Sequence, residues 1–481
     1  MNITFQELCE RTRAVGRSVH ARSASLITGI VDDSRLWSEG KLFVAMPSEA
    51  TDTESFIPDL AAKGLKAAIV HSPRGLSLCE AHGVAAVALS PFYEQVWKFA
   101  TLLTHGEDLP KGSIAVTGTN GKTTIAWLLS QALEMSYLGT LGYRAAGSDD
   151  PVELSNTTLM PVQLMNLLRD KGLLPAVMEV SSHALDQRRA DGVEFSLGLF
   201  TNLTQDHLDY HGTIENYANA KKRLFTELVD HAILNVKDPI GAMWYSELGS
   251  RATSVAVSDD ADLRIDPLEV GLAHSVLRLR VGNETYEGTT SIGGRFNIEN
   301  LALVLAALIH RGHHPEKALE MAGQLKAAPG RFECMEAPGH PQVILDYAHT
   351  PDALEKLLLA VREVTKGRMI CVFGCGGDRD RLKRPRMASA VSSRADLTIV
   401  TEDNPRTEPS DQIFGDILQG IVQGRPVEVV KNRREAIHHA IRSAERNDVV
   451  VIAGKGHERM QIVGRERIPM DEREIVREAW A

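Results

Sequence analysis

One stretch of nine residues, Val116-Thr-Gly-Thr-Asn-Gly-Lys-Thr-Thr124, constrains this chain more than any other. It continues an apolar run, Ser113-Ile-Ala-Val116, and precedes Ile125, Leu128, Leu129, Ala132 and Leu133 at helical spacing. A buried strand turning through glycines directly into a helix points to an α/β architecture. Gly118 and Gly121 let the backbone approach a phosphate closely. The N–H groups of Thr119, Asn120 and the turn, with the helix N-terminus behind them, favour the anion. Lys122 can reach the β/γ-phosphates, and the Thr123 hydroxyl, ahead of Thr124, can ligate Mg²⁺. The general phosphate-loop pattern has glycine six residues before the lysine, where this chain has Val116. By itself the loop implies a nucleoside triphosphate and leaves the reaction open.

The strands around it are continuously apolar. Ala176-Val-Met-Glu-Val180, Leu197-Gly-Leu-Phe200 and Ala232-Ile-Leu-Asn-Val236 predict a parallel sheet covered on both faces. Before a polar break at His105–Gly112, the runs Lys41–Met46, Ala67–Val70 and Val84–Leu89 predict a separate, smaller set of strands. After a break at Lys326-Ala-Ala-Pro-Gly330 come Val343–Asp346, Arg368–Phe373, Leu397–Val400 and Val449–Ala453. Thr350 and Pro351 open a helix there, with Leu354, Leu357, Leu358, Val361 and Val364 as its stripe. A length of 481 residues fits this division, at roughly 150 residues per domain.

Composition narrows the function classes. Lys plus Arg is 53 and Asp plus Glu 63, a net charge of -10, which disfavours general binding of nucleic acid or anionic membrane. Cys9, Cys79, Cys334, Cys371 and Cys375 form no C-x-x-C pair, and Cys371 and Cys375 read as core thiols. No apolar stretch approaches the ~20 residues of a membrane span. The opening residues lack a basic segment followed by an apolar one, so the expectation is cytoplasmic.

Three further segments carry chemistry. Glu179 lies in a buried apolar strand and needs a partner, either a basic side chain or a metal ion. Thr201-Asn-Leu-Thr-Gln-Asp-His-Leu-Asp-Tyr-His-Gly212 begins at the carboxyl end of a strand, where open α/β sheets bind ligands. There His207 and His211 are candidate ligands beside Asp206 and Asp209, without the spacing of a zinc site. Ile214–Phe225 reads as an amphipathic helix, on which Lys221 would ordinarily face solvent.

Together these segments resemble the Mur ligases, ATP-dependent enzymes that assemble the peptidoglycan stem peptide. The likeness rests on Gly118–Thr124, Glu179-Val-Ser-Ser-His183, Thr201–His211, Gly294-Arg-Phe-Asn-Ile-Glu-Asn300, Gly330-Arg331 and Asp346-Tyr-Ala-His-Thr-Pro-Asp352. Phe373-Gly-Cys-Gly-Gly-Asp-Arg-Asp380, Asp403-Asn-Pro-Arg406 and Gly454-Lys-Gly-His-Glu458 complete it. The resemblance implies an N-terminal UDP-binding domain over 1–108, smaller and α/β. It implies a central ATP-binding domain with a mostly parallel sheet over 109–328. The third, a Rossmann-like amino-acid-binding domain, covers 329–481. The expected enzyme is a monomer with no nucleic-acid or membrane partner.

The implied chemistry is acyl-phosphate formation on a UDP-N-acetylmuramoyl dipeptide, then attack by an amine. Catalysis would rest on Lys122, Glu179, His207 and Lys221, with Thr123 and Glu179 on one Mg²⁺ and His207 on a second. Lys221 matches a position carbamylated in the family. Asn297, Arg331 and Asp346 match nucleotide contacts, so that closure of the third domain would complete the ATP site. Ser34, Asn156, Thr157, Thr158, Ser181, Gln187 and Arg189 match UDP-substrate contacts. The loop Met46–Phe56 departs from the family, with Ser48, Glu49 and Thr53 where glycines and a histidine are common.

The resemblance also implies the acceptor. Arg406, in Asp403-Asn404-Pro405-Arg406, suits the second carboxylate of meso-diaminopimelate, which L-lysine lacks. Arg379 matches another carboxylate contact, while the rest of Arg379–Arg386 reads as a solvated basic loop. Gly454 and Glu458 match positions near the distal ammonium. Addition of L-lysine, or a reaction like that of folylpolyglutamate synthase, are the alternatives.

Overall fold

The computed structural model describes residues 2–20, 23–48, 50–148 and 150–481. Glu49, in the divergent loop, lies outside the described residues. The chain divides into two compact units, Met1–Ser254 and Val255–Ala481.

Two larger sheets dominate the first unit, beside a short pairing of Ile3–Thr4 with Leu26–Ile27. The smaller of the two orders its strands Gly16–Val19, Ala85–Leu89, Ala67–Val70, Lys41–Val44 and Gly29–Val31, parallel except for Gly16–Val19. Ala67–Val70 is buried along its length, as a strand covered on both faces should be. The larger sheet runs Gly142–Arg144, Ser136–Gly139, Ala176–Glu179, Ser113–Thr117, Phe195–Phe200 and Val229–Asn235. Only the edge strand Gly142–Arg144 is antiparallel among these. Ser113–Thr117 is central, flanked by two parallel neighbours. Their register sets Glu179 opposite Val116 and Phe200 opposite Thr117. The carboxyl ends of three strands therefore lie side by side, and everything just after them shares one edge of the sheet.

In the second unit, Leu263–Val270, Ser275–Val281 and Glu284–Thr290 form an antiparallel meander. This meander was not among the strands expected from sequence. Leu263, Ile265, Leu277 and Leu279 are buried while Arg264, Arg278 and Glu287 face outward in ion pairs. That alternation marks a sheet packed on one face only. A second sheet runs Glu333–Met335, Gln342–Asp346, Val449–Ala453, Met369–Phe373, Leu397–Val400 and Val427–Val429, parallel except at Glu333–Met335.

The helix expected after Thr350 spans Pro351–Val364, and the Thr350 hydroxyl accepts from Ala353 N. Leu354, Leu357, Leu358 and Val361 are buried beneath it. Cys371 and Cys375 are core thiols, and burial pushes both up to about 12. Among the described residues no helix is long and apolar enough to cross a membrane.

Candidate functional site

The phosphate loop joins Ser113–Thr117 to the helix Lys122–Ala132. Gly118 has φ +145°, and a Cβ there would lie 1.8 Å from Thr201 Oγ1, so no side chain fits. The segment after the neighbouring strand braces the loop. Thr119 N donates to Asn202 O at 2.8 Å, and Asn120 N donates to Asn202 Oδ1 at 3.1 Å. Thr201 Oγ1 donates to Asn120 O at 2.6 Å. The turn is thus held by the protein's own hydrogen bonds, the kind of preorganisation that electrostatic catalysis uses. Lys122 Nζ bends back to Gly118 O and Thr119 O, at 3.0 and 2.9 Å. Its cation is already held over the loop.

Glu179 stands beside this loop with 1 % exposure. Its Oε1 accepts from Tyr137 OH at 2.5 Å and Thr140 N at 2.9 Å. Its Oε2 accepts from Thr123 Oγ1 at 3.0 Å and Thr140 Oγ1 at 3.1 Å. Among the described residues these donors are neutral, so the carboxylate is desolvated and oriented without a basic side chain. A hard cation at the junction of Thr123 and Glu179 fits that donor set. Among the described residues no three His, Cys, Asp or Glu side chains converge as a metal cage. A cation here would complete its shell with water or phosphate oxygens, as Mg²⁺ commonly does. Tyr137 and Thr140 were missed from sequence, because they reach Glu179 across 42 and 39 residues of chain.

Lys221 corrects the expectation of a surface lysine. It is 1 % exposed, its Nζ donates to Gly118 O at 2.9 Å, and it lies 4.5 Å from the centre of the Tyr217 ring. Burial, and secondarily the Lys122 cation, hold its pKa well below that of an ordinary lysine. The signal was in the sequence, since Tyr217, Lys221, Leu224 and Phe225 share one helical face.

His207 takes a left-handed conformation, φ +52°, and its half-exposed ring meets His183 edge-on at 5.0 Å. Its Nε2 lies 3.5 Å from Asp206 Oδ2. His211 is buried and engages Ser182 Oγ at 3.0 Å. That bond occupies one ring nitrogen of His211. Burial, with His207 and His211 nearby, lowers His183 to about 4.

The residues matched to the UDP substrate lie partly on this same edge. Thr158 Oγ1 donates to Glu179 O at 2.9 Å and accepts from Ser181 N at 3.3 Å, and Thr157 Oγ1 meets Thr140 Oγ1 at 3.1 Å. Arg189 donates to Gln187 Oε1 through Nε and one terminal nitrogen, at 3.0 and 2.7 Å, and through the other to Thr158 O at 3.0 Å. Asn156 is exposed, its amide donating to Ser155 Oγ at 3.4 Å. Ser34 begins a short turn after the smaller sheet's edge strand Gly29–Val31.

The second unit carries the remaining candidates. Asn297 is buried on the helix Arg295–His310 and donates to Gly293 O at 3.0 Å. Asp346 ends its strand, accepting from Phe332 N at 2.7 Å and Ala348 N at 2.8 Å. The Arg331 guanidinium stacks 4.6 Å over Tyr347.

Two loops meet around Gly376, where a Cβ would approach Arg406 NH1 at 2.9 Å and Arg379 Cγ at 3.7 Å. Arg406 donates to Gly377 O at 2.9 Å, and Gly377 N donates to Asn404 O at 2.9 Å. Gly454, at φ +118°, brings its backbone against Asp403 Oδ2. Arg379 is exposed. Arg384, expected in a solvated loop, is fully buried instead. It donates to both Glu408 oxygens, at 2.7 and 2.6 Å, to Asp416 at 2.9 Å and to Gly376 O at 3.2 Å. That bidentate pair holds Glu408 down to about 2. Glu408 in turn accepts from Asp378 N at 3.0 Å, so the two loops are locked together.

Residues 116–308 match the Mur ligase middle domain and residues 330–456 the Mur ligase glutamate ligase domain. The chain is 40% identical over 466 residues to a UDP-N-acetylmuramoyl-L-alanyl-D-glutamate--2,6-diaminopimelate ligase of Haemophilus influenzae, covering 93% of this chain and 94% of the relative. It is similar to a solved structure of a ligase of that name, with 32% identity, a TM-score of 0.71 and coverage of 100% and 99%. A MurF ligase of Thermotoga maritima solved with ADP shares the fold at 16% identity, with a TM-score of 0.61 over 94% and 96% of the two chains.

Proposed function

The chain belongs to the Mur ligase family, and from that membership we infer an ATP-dependent ligase that adds meso-diaminopimelate to UDP-N-acetylmuramoyl-L-alanyl-D-glutamate. The observation that carries this reading is the presence in one chain of a braced phosphate loop, in the first unit, and of an arginine-bearing loop at Arg406, in the second. On this reading the domains fall at 1–108, 109–328 and 329–481, and the enzyme works in the cytoplasm.

A carboxylate of the dipeptide attacks the γ-phosphorus of ATP and ADP leaves, giving an acyl phosphate. The incoming amine then attacks the acyl carbon, loses a proton and expels inorganic phosphate. Phosphoryl transfer needs positioning and charge neutralisation more than covalent help. The loop amides and Lys122 supply these at the β- and γ-phosphates, with Thr119, Asn120 and Thr124 completing the cradle. Thr123 and Glu179 would hold Mg²⁺, which neutralises phosphate charge when bound, and His207 would ligate a second ion. Asn297, Arg331 and Asp346 are assigned to the nucleotide. Ser34, Asn156, Thr157, Thr158, Ser181, Gln187 and Arg189 are assigned to the UDP substrate. Arg379, Asp403 to Arg406, Gly454 and Glu458 are assigned to the amino acid.

A neutral amine adds CO₂, giving a carbamate and releasing a proton, and the lowered pKa of Lys221 favours the neutral form. The product is an anion that can help hold a cation between two anionic substrates, where an ammonium would repel it. Lys221→Ala is expected to lose activity more than tenfold, with partial restoration by a short carboxylate such as formate. Full activity of Lys221→Ala would remove the carbamate from the mechanism.

Phosphate release measures the whole assignment. ATP consumption is expected only when UDP-N-acetylmuramoyl dipeptide and meso-diaminopimelate are both present. Turnover supported by folate and glutamate would instead select the folylpolyglutamate synthase reading.

A further inference from the structure

A fully buried lysine stands behind the groups assigned to the far end of the acceptor. Lys455, 0 % exposed, donates from Nζ to Asn404 Oδ1 at 3.0 Å, Glu458 Oε2 at 3.0 Å and Met460 O at 2.8 Å. An ammonium has three donors, and all three are used. Asn404 is itself buried. Its Oδ1 accepts a second bond from Ile462 N at 2.9 Å, which turns its Nδ2 toward Glu458 Oε2, also at 2.9 Å.

Among the described residues, every hydrogen bond to the Glu458 carboxylate falls on Oε2. Oε1 remains, on a side chain 34% exposed. Arg406 makes no bond to Lys455: its NH1 donates to Gly377 O at 2.9 Å and, more weakly, to Asn404 O at 3.4 Å, and its backbone N–H donates to Ile462 O at 3.0 Å. Lys455 therefore bonds the Glu458 carboxylate directly and reaches the supports of the guanidinium only through Asn404. A glutamate without such a brace would sample several rotamers and meet its ligand less often in the required geometry.

We propose that Lys455 is a positioning residue for acceptor selection, fixing Glu458 so that Oε1 receives the distal ammonium while Arg406 takes the distal carboxylate. The proposal rests on the meso-diaminopimelate reading above. It implies that Lys455 matters for the distal amine and little for the distal carboxylate.

The test compares meso-diaminopimelate with L-2-aminopimelate, which keeps the distal carboxylate and lacks the distal amine. Lys455→Met is expected to lower kcat/KM for meso-diaminopimelate tenfold or more, mainly through KM. Efficiency with L-2-aminopimelate should fall less than threefold, and the KM for ATP should stay put. Equal losses with both acceptors would mean a merely structural lysine and overturn the proposal, as would no loss with either. Should Lys455→Met fail to melt cooperatively, Lys455→Gln, which keeps a donor without the charge, is judged by the same comparison. A wild-type enzyme that takes L-lysine over meso-diaminopimelate overturns the acceptor reading and the proposal with it. That result needs no variant and is therefore separable from the others.

Discussion

Lys122→Ala is expected to abolish ligation, with a fall of at least ~10³-fold in kcat, while the protein still melts cooperatively. The size follows from what the ammonium does. Removing a single preorganised donor from a developing charge costs about 10²–10³ in rate, and a cation at a transferring phosphoryl group contributes about 10³–10⁵. Lys122 now bonds two carbonyls of its own loop, Gly118 O and Thr119 O, so the charge is held within reach before nucleotide binds. The loop itself should survive the substitution. Its brace comes from Thr201, Asn202 and Tyr217, none of which depends on Lys122. The measurement pairs steady-state phosphate release with a thermal melt. Turnover near wild type in a folded Lys122→Ala protein would remove the phosphate-loop assignment.

Features legible in the sequence were those whose determinants lie within one turn or one strand. The phosphate loop is such a case, since its glycines, its lysine and its flanking apolar runs are contiguous. So are the buried parallel strands, whose continuous apolar runs match their positions in the sheets. Features set by distant partners were not legible. The neutral donors around Glu179 come from another strand and its following turn, so sequence left a choice between a basic partner and a metal. Arg384 looked like one more exposed cation in a basic run, because Glu408 and Asp416 lie 24 and 32 residues further on. The meander from Leu263 to Thr290 escaped for another reason. Its outward positions are charged and its inward ones few, so its period-2 pattern is weak beside the continuous strands. The burial of Lys221 was legible in its helical register, with Tyr217, Leu224 and Phe225 on the same face, against the usual solvation of a lysine.

The second large effect concerns which amine is joined. Arg406→Ala is expected to lower kcat/KM with meso-diaminopimelate by about 10²-fold or more, because two charge-assisted hydrogen bonds of ~1.5–3 kcal/mol each are lost. The structure supports a fork at this residue. Among the described residues, the hydrogen bonds of the Arg406 side chain leave from NH1, to Gly377 O and Asn404 O, which leaves Nε and NH2 for a carboxylate. Its position is fixed further by Arg406 N on Ile462 O and Gly464 N on Arg406 O at 2.7 Å. L-lysine cannot satisfy that fork. With lysine bound the guanidinium would be desolvated and unpaired, and a polar site rejects an analogue lacking its partner group. The loss in Arg406→Ala should therefore fall on meso-diaminopimelate far more than on the weak reaction with lysine. Arg406→Lys should recover only part of it, since an ammonium is a point charge and cannot form two parallel bonds. Measuring both acceptors with all three proteins separates the cases. An equal loss on both acceptors would mean that Arg406 supports the loop without reading the distal carboxylate, and selectivity would have to come from Arg379 or Glu458.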